Sequence, residues 1–139
     1  MVGVVVATHG LLADELIRTA EAIVGKLEQM RTVSVGPTSS MEETRERFKE
    51  AIREVDGGDG VLVLTDMFGG TPANLALTFL DEKIEVLTGV NLPMLLKLTT
   101  CRSENLALQA TAQMLTTYGQ KNISLASELL RTRARTNRN

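Results

Sequence analysis

Four short apolar runs, each followed within a few residues by a stretch with helical spacing, constrain this chain more than any other feature of its sequence. Val2 to Ala7 is the first run. It leads into residues 12–24, where Leu12, Leu16, Ile17, Ala20, Ile23 and Val24 share one face and Gly25 stands as the C-terminal stop. Thr32 to Val35 is the second, followed by GPTSSMEETRERFKEAIREV. There Ser39 with Glu42, or Ser40 with Glu43, makes a capping-box pattern, and Met41, Phe48, Ala51, Ile52 and Val55 supply a buried stripe. Val61 to Leu64, the third, shows no polar alternation, as a strand covered on both faces requires. A helix after it starts with Thr71 as N-cap and Pro72 at the first helical position. Ile84 to Leu87 is the fourth run, with TGVNLPMLLKL and then a helix from about Ser103 to Tyr118.

Such alternation specifies an α/β fold: an open, mainly parallel four-stranded sheet with helices on both faces. Right-handed crossovers give the strand order 2-1-3-4. The chain has 139 residues, enough to bury about two thirds of the surface its unfolded form exposes around one core. We expect the sheet domain over residues 1–118 and a separate C-terminal element with a basic tail over 119–139. In KNISLASELL, Ile123 and Leu125 alternate as in a strand, while Leu125, Leu129 and Leu130 fit a helical stripe, so both assignments stay open. The tail RTRARTNRN carries four arginines; it is either a solvated terminus or a contact for an acidic surface.

Composition closes several routes. With 3% aromatic residues and no Trp there is no material for an aromatic cage or a base-stacking platform, and a net charge of -2 gives no electrostatic reason for a nucleic-acid partner. Cys101 is the lone cysteine, without neighbours at metal-ligand spacing, so neither a disulfide nor a metal site is expected and a reduced, cytoplasmic setting follows. The opening MVGVVVATHGLLA lacks the basic leader of a secretory signal and is too short to span a bilayer, so no membrane insertion is expected.

The chemistry concentrates where the strands end. In open parallel sheets ligands bind beyond the carboxyl ends of the strands, where connections diverge to opposite sides. His9, the only histidine, follows the first run, and Asp66 follows the third. In the order 2-1-3-4 these strands are neighbours at roughly 4.8 Å, which brings an imidazole and a carboxylate within reach of each other. Such a pairing fixes the ring tautomer and stabilises the cation formed when the other nitrogen is alkylated, acylated or phosphorylated. Beside them FGGTP offers Gly69 and Gly70 for close backbone approach and a helix start whose N–H groups suit an anion. The parts describe a crevice in which His9 could accept a phosphoryl group. A non-catalytic module that holds an anion or small solute is the contrasting reading. No G-x-G-x-x-G follows the first strand, and neither a phosphate-binding P-loop nor a G-x-S-x-G elbow occurs, so nucleotide binding and serine hydrolysis lack their usual motifs. A receiver-type aspartyl phosphoacceptor needs an acidic pair where this chain has Ala7-Thr8-His9.

The segments VVVATHG, LTDMFGGTPAN and TGVNLPML, in that order at three strand ends, resemble the enzyme IIA component of the mannose-type phosphotransferase system (PTS) over roughly residues 1–118. The resemblance implies a phosphohistidine relay: His9 takes phosphate on Nε2 from the carrier protein HPr and passes it to a histidine of a IIB partner. Asp66 would hold the other ring nitrogen, and Gly69, Gly70 and Thr71 would lie beside the phosphate, Thr71 where the family has a small hydroxyl residue. Gly89 to Met94 resembles the loop that borders the site. No cofactor, metal or nucleotide is implied. Family members are homodimers that exchange a C-terminal strand, and KNISLASELL is the candidate for it. No fused IIB domain or long Ala/Pro linker is visible, which points to a separate IIB chain. A paralogous group serving dihydroxyacetone kinases ranks second, since its third-strand loop usually differs from DMFGGTP.

Overall fold

The computed structural model describes residues 1–137. The elements run β1 (Gly3–His9), α1 (Leu12–Val24), β2 (Met30–Val35), α2 (Met41–Val55), β3 (Val61–Thr65), α3 (Thr71–Leu77), β4 (Ile84–Thr88), α4 (Leu92–Ser103), α5 (Leu108–Lys121) and α6 (Ala126–Asn137). All strands are parallel and lie in the order β2-β1-β3-β4, as the crossover rule requires.

Side-chain alternation along the two central strands builds a core on each face of the sheet. Val4 and Val6 join Leu62 and Leu64 against α1, α4 and α5, where Ala20, Leu95, Leu98 and Leu115 are buried. Val5 and Ala7 join Val61 and Val63 on the other face, against Phe48, Ile52 and Val55 of α2. Each such Val, Leu or Phe contributes about 1.5–3 kcal/mol by leaving water, and the absence of polar alternation in β1 and β3 follows from this two-sided burial.

One open choice is settled in the structure and three local expectations change. Ser40, not Ser39, caps α2, accepting the Glu43 N–H at 3.3 Å, while the Ser39 hydroxyl oxygen accepts the Gly36 N–H at 2.9 Å and closes the preceding loop. Met41, placed in the buried stripe of α2 by its spacing, is the first residue of the helix and is exposed. At the ends of α1, Leu12, Ile23 and Val24 are likewise exposed, with Ala20 at its centre buried. Residues 92–121 form two helices, α4 and α5, where the sequence marked one helix from about Ser103 to Tyr118. Asn91 caps the first of them by accepting the Met94 N–H at 3.1 Å, Pro93 sits in its first turn, and Asn105 at φ 52° separates it from α5.

The C-terminal segment takes the helical alternative. Ile123 to Leu125 is irregular and α6 follows, so the described residues contain no fifth strand. No residue of α6 is buried. Of the basic tail, residues 138 and 139 lie outside the described part of the chain.

Candidate functional site

The site follows from the register of β1 and β3. Ala7 lies opposite Thr65, so the next residues along each strand, Thr8 and Asp66, come level at the carboxyl edge, with His9 one step beyond. β1 runs on to His9 and β3 to Thr65, which places His9 at the end of its strand and Asp66 immediately after its own, both closer to the sheet than their runs suggested. From here α1 packs on one face and α3 on the other. The gap between β1 and β3 is therefore the topological switch point, where an open α/β sheet leaves a crevice.

His9 belongs to the odd-numbered set of β1 and leaves the strand on the α2/α3 side. Its Nδ1 lies 2.8 Å from Asp66 Oδ2, and its backbone N–H donates to the same oxygen at 3.2 Å. Burial of the Asp66 carboxyl pushes its pKa upward, but the hydrogen bonds from the His9 ring and backbone, with the attraction of the ring's charge, outweigh this and hold it below the ordinary carboxylate range. An ionised carboxylate only accepts, so the neutral ring carries its proton on Nδ1 and keeps its lone pair on Nε2. The imidazole is 48% exposed while Asp66 is 14% exposed, and no hydrogen bond to Nε2 occurs among the described residues.

The glycine loop closes against the ring. A Cβ at Gly70 would come within 2.5 Å of His9 Cε1 and 3.0 Å of Nε2, so only glycine lets the chain pass this close to the ring. Gly69 has a different task. Its φ of 92° makes the turn that precedes the helix, in open space. Gly70, not Thr71, is the N-cap of α3; Thr71 is its first helical residue and Pro72 its second. The first intrahelical bond runs from the Asn74 N–H to the Gly70 carbonyl, leaving the N–H groups of Thr71 and Ala73 as the orphan donors of the helix start.

Thr71 and His9 line one side of a cleft of about 320 Å³, and Val35, Gly36, Pro37, Ser39 and Met41 line the other. This second wall was not anticipated from the sequence. The signal for it was the strand order itself, since β2 neighbours β1 and its carboxyl end must border the same crevice; the Gly10 N–H in fact donates to the Val35 carbonyl at 3.0 Å. The segment Gly89 to Met94 stands further back. Gly89 and Val90 donate to the Thr65 carbonyl, both at 2.9 Å, without lining the cleft. Among the described residues no three His, Cys, Asp or Glu side chains gather as a metal site, and no helix is long and apolar enough to cross a membrane.

The fold and the site together define an open α/β domain with an acid-backed histidine at its switch point. The EIIA-man family model, described as PTS system fructose IIA component, matches residues 3–116. The fructose-specific EIIA component of Bacillus subtilis (strain 168) is 30% identical over 132 residues, covering 94% of this chain and 90% of that protein. The mannose-specific EIIAB component of Escherichia coli (strain K12) is 33% identical over 106 residues, 75% of this chain, and the match spans 33% of that longer protein. Among solved structures, the PTS IIA protein associated with the fucose utilization operon of Streptococcus pneumoniae superposes with a TM-score of 0.81 at 31% identity, covering 92% of this chain and 95% of that one. This chain belongs to the EIIA-man family of PTS IIA components, as its strand-end segments suggested.

Proposed function

We propose that the chain is a phosphoryl carrier in which His9 accepts phosphate from phospho-HPr and delivers it to a histidine of a IIB partner, in sugar uptake or its regulation. The observation that carries this reading is the division of labour within one ring: Nδ1 is engaged by Asp66 at 2.8 Å, while the half-exposed imidazole lines the cleft with no hydrogen bond to Nε2 among the described residues. In the transfer, the Nε2 lone pair attacks phosphorus and the P–N bond of the donor histidine breaks, its electron pair returning to the donor ring. The Nδ1 proton stays on His9, and Asp66 balances the positive charge that the ring gains. The backbone N–H groups of Gly70 and Thr71, beyond the turn at Gly69, would be the donors for charge on the moving phosphoryl group; the close approach of Gly70 to the ring supports this. The chain's task is then placement, which needs neither cofactor nor metal.

The surroundings suit a protein donor. Leu11, Met41, Met67 and Phe68 are all exposed, Phe68 at 74%, and they belong to the loops and helix starts at the carboxyl edge of the sheet. Exposed apolar side chains beside the site suit a modest, transient contact with two protein partners in turn. The same reading places the chain in the cytoplasm, where HPr operates.

A homodimer belongs to the proposal. β4 is an edge strand, and a groove of about 640 Å³ runs between its residues Glu85 to Thr88 and α5. Among the described residues β4 pairs on one side alone and no residue of α6 is buried; the C-terminal segment of a second copy would cover both. Sedimentation of the whole chain and of a form ending at Lys121 tests this: the first should sediment as a dimer and the second as a monomer.

The relay itself is tested by incubation with enzyme I, HPr and radiolabelled phosphoenolpyruvate. An acid-labile, alkali-stable label on His9 is expected; an unlabelled protein would eliminate the relay.

A further inference from the structure

We infer that Thr8 is a positioning residue for the His9 imidazole, acting through a hydrogen bond that ties the end of β1 to the first turn of α1. Thr8 is fully buried and shares a face with Val4 and Val6, so its side chain points toward α1, opposite to that of His9. Its hydroxyl oxygen accepts the Ala13 N–H at 2.8 Å. Ala13 is the second residue of α1, and the position that would ordinarily cap the helix is Leu11, which has no acceptor. Thr8 therefore supplies from inside the strand the capping oxygen that the helix start lacks.

The consequence for His9 is geometric. The bond closes a short staple around His9, Gly10, Leu11 and Leu12, in which Gly10 turns the chain at φ 56°. Three bonds then hold the main chain at the reactive ring: the Thr8 staple, the His9 N–H to Asp66 Oδ2, and the Gly10 N–H to the Val35 carbonyl. The helix start is anchored a second time by Asp14, whose carboxylate accepts the hydroxyls of Thr32 at 2.6 Å and Ser34 at 3.1 Å on β2. Asp14 holds the helix to a neighbouring strand. Thr8 alone links it to the residue adjoining His9, so the relation between the His9 backbone and the Asp66 carboxylate depends on it. With the staple gone the ring keeps its partner in composition but loses the fixed direction of Nε2, and misplacement on the order of 1 Å costs a transfer step about 100-fold.

The test pairs Thr8→Val, which keeps the shape and removes the acceptor, with Thr8→Ser, which keeps the acceptor. Thr111→Val is the control for the loss of a buried threonine hydroxyl, since Thr111 is buried on α5, away from the cleft. Two readouts are taken on the whole chain: 15N shifts of the His9 ring nitrogens, and the rate of phosphoryl acceptance from HPr, separated into kcat and KM. For Thr8→Val we expect averaged ring-nitrogen shifts and a kcat lowered roughly 10- to 100-fold at unchanged KM. Thr8→Ser should restore both to within a few-fold, and Thr111→Val should change neither. Should Thr8→Val not fold, Thr8→Ala, which admits water to the Ala13 N–H, replaces it with the same expectation. Wild-type ring shifts together with a wild-type kcat in the staple-less variant would overturn the inference. Only the rate rests on the relay reading: if the wild type takes up no phosphate, that reading fails, and the ring shifts alone decide the role of Thr8.

Discussion

The carboxyl edge of the sheet and the C-terminal helix are opposite ways of carrying polar side chains. At the edge, His9 and Asp66 are 57 residues apart in sequence, yet they meet at 2.8 Å because two parallel strands in fixed register deliver them there, each strand buried on both faces. In α6 the arginines at 131, 133 and 135 and the leucines at 129 and 130 are close in sequence, but no residue of the helix is buried. Proximity along the chain gives α6 its form; packing gives the edge its geometry. The comparison teaches that a reactive constellation needs strands whose register a core enforces, since slipping by one residue would turn every side chain to the other face.

Breaking the edge should have the largest effect. His9→Ala should abolish labelling by phospho-HPr with the fold retained, as judged by circular dichroism, because the ring is half exposed and its removal opens no core cavity. Gly70→Ala comes next. The new methyl group would meet the imidazole at 2.5 Å, so the ring or the loop must move; a loss of about 100-fold in transfer rate is expected, with a change in the His9 ring signals by NMR.

Asp66→Asn should leave HPr binding in place, measured by NMR titration, and slow transfer roughly 10- to 100-fold, because an amide can present the wrong partner to Nδ1 and cannot balance the ring's charge. This substitution also has a pH signature. The folded-state pKa of Asp66 lies below its ordinary value of 3.8, so its ionised form contributes stability that is fully present above the ordinary range and is lost as pH falls through the folded-state value. Wild type should thus exceed Asp66→Asn by about 1–2 kcal/mol in denaturant unfolding at neutral pH, and the gap should close only below about pH 4.

The smallest effect belongs to the other region. Ending the chain at Lys121 should leave the kcat of phosphoryl acceptance within a few-fold of wild type. At concentrations where both forms are monomeric, it should shift stability by less than about 0.5 kcal/mol, since no residue of α6 is buried. A larger loss would mean that α6 supports the edge after all, and the contrast between the two regions would fall.

Much of this was readable along the chain. Runs of Val and Leu without alternation announced buried strands, and the order 2-1-3-4 followed from crossover handedness. His9 and Asp66 were singled out together because both strands end beside them. What the sequence left open or misplaced were local competitions that neighbouring structure resolves. Ser39 and Ser40 are equally good caps until the Gly36 N–H claims Ser39. Thr71 is a good N-cap by type, but the chain must pass tight against the imidazole first, and that assigns the cap to Gly70. Asn91 with Pro93 is a helix start ahead of the one marked at Ser103.

By itself, then, the amino-acid order determined the strands, most of the helices and which residues end up at the sheet's carboxyl edge, because periodicity and turn chemistry act over a few neighbours. The tertiary structure alone decided that Gly70 lies against the ring, that Thr8 caps α1 from inside a strand, and that residues 35–41 form the far wall of the cleft. Those depend on distances between segments far apart in the chain, which only the packing of both faces of the sheet sets.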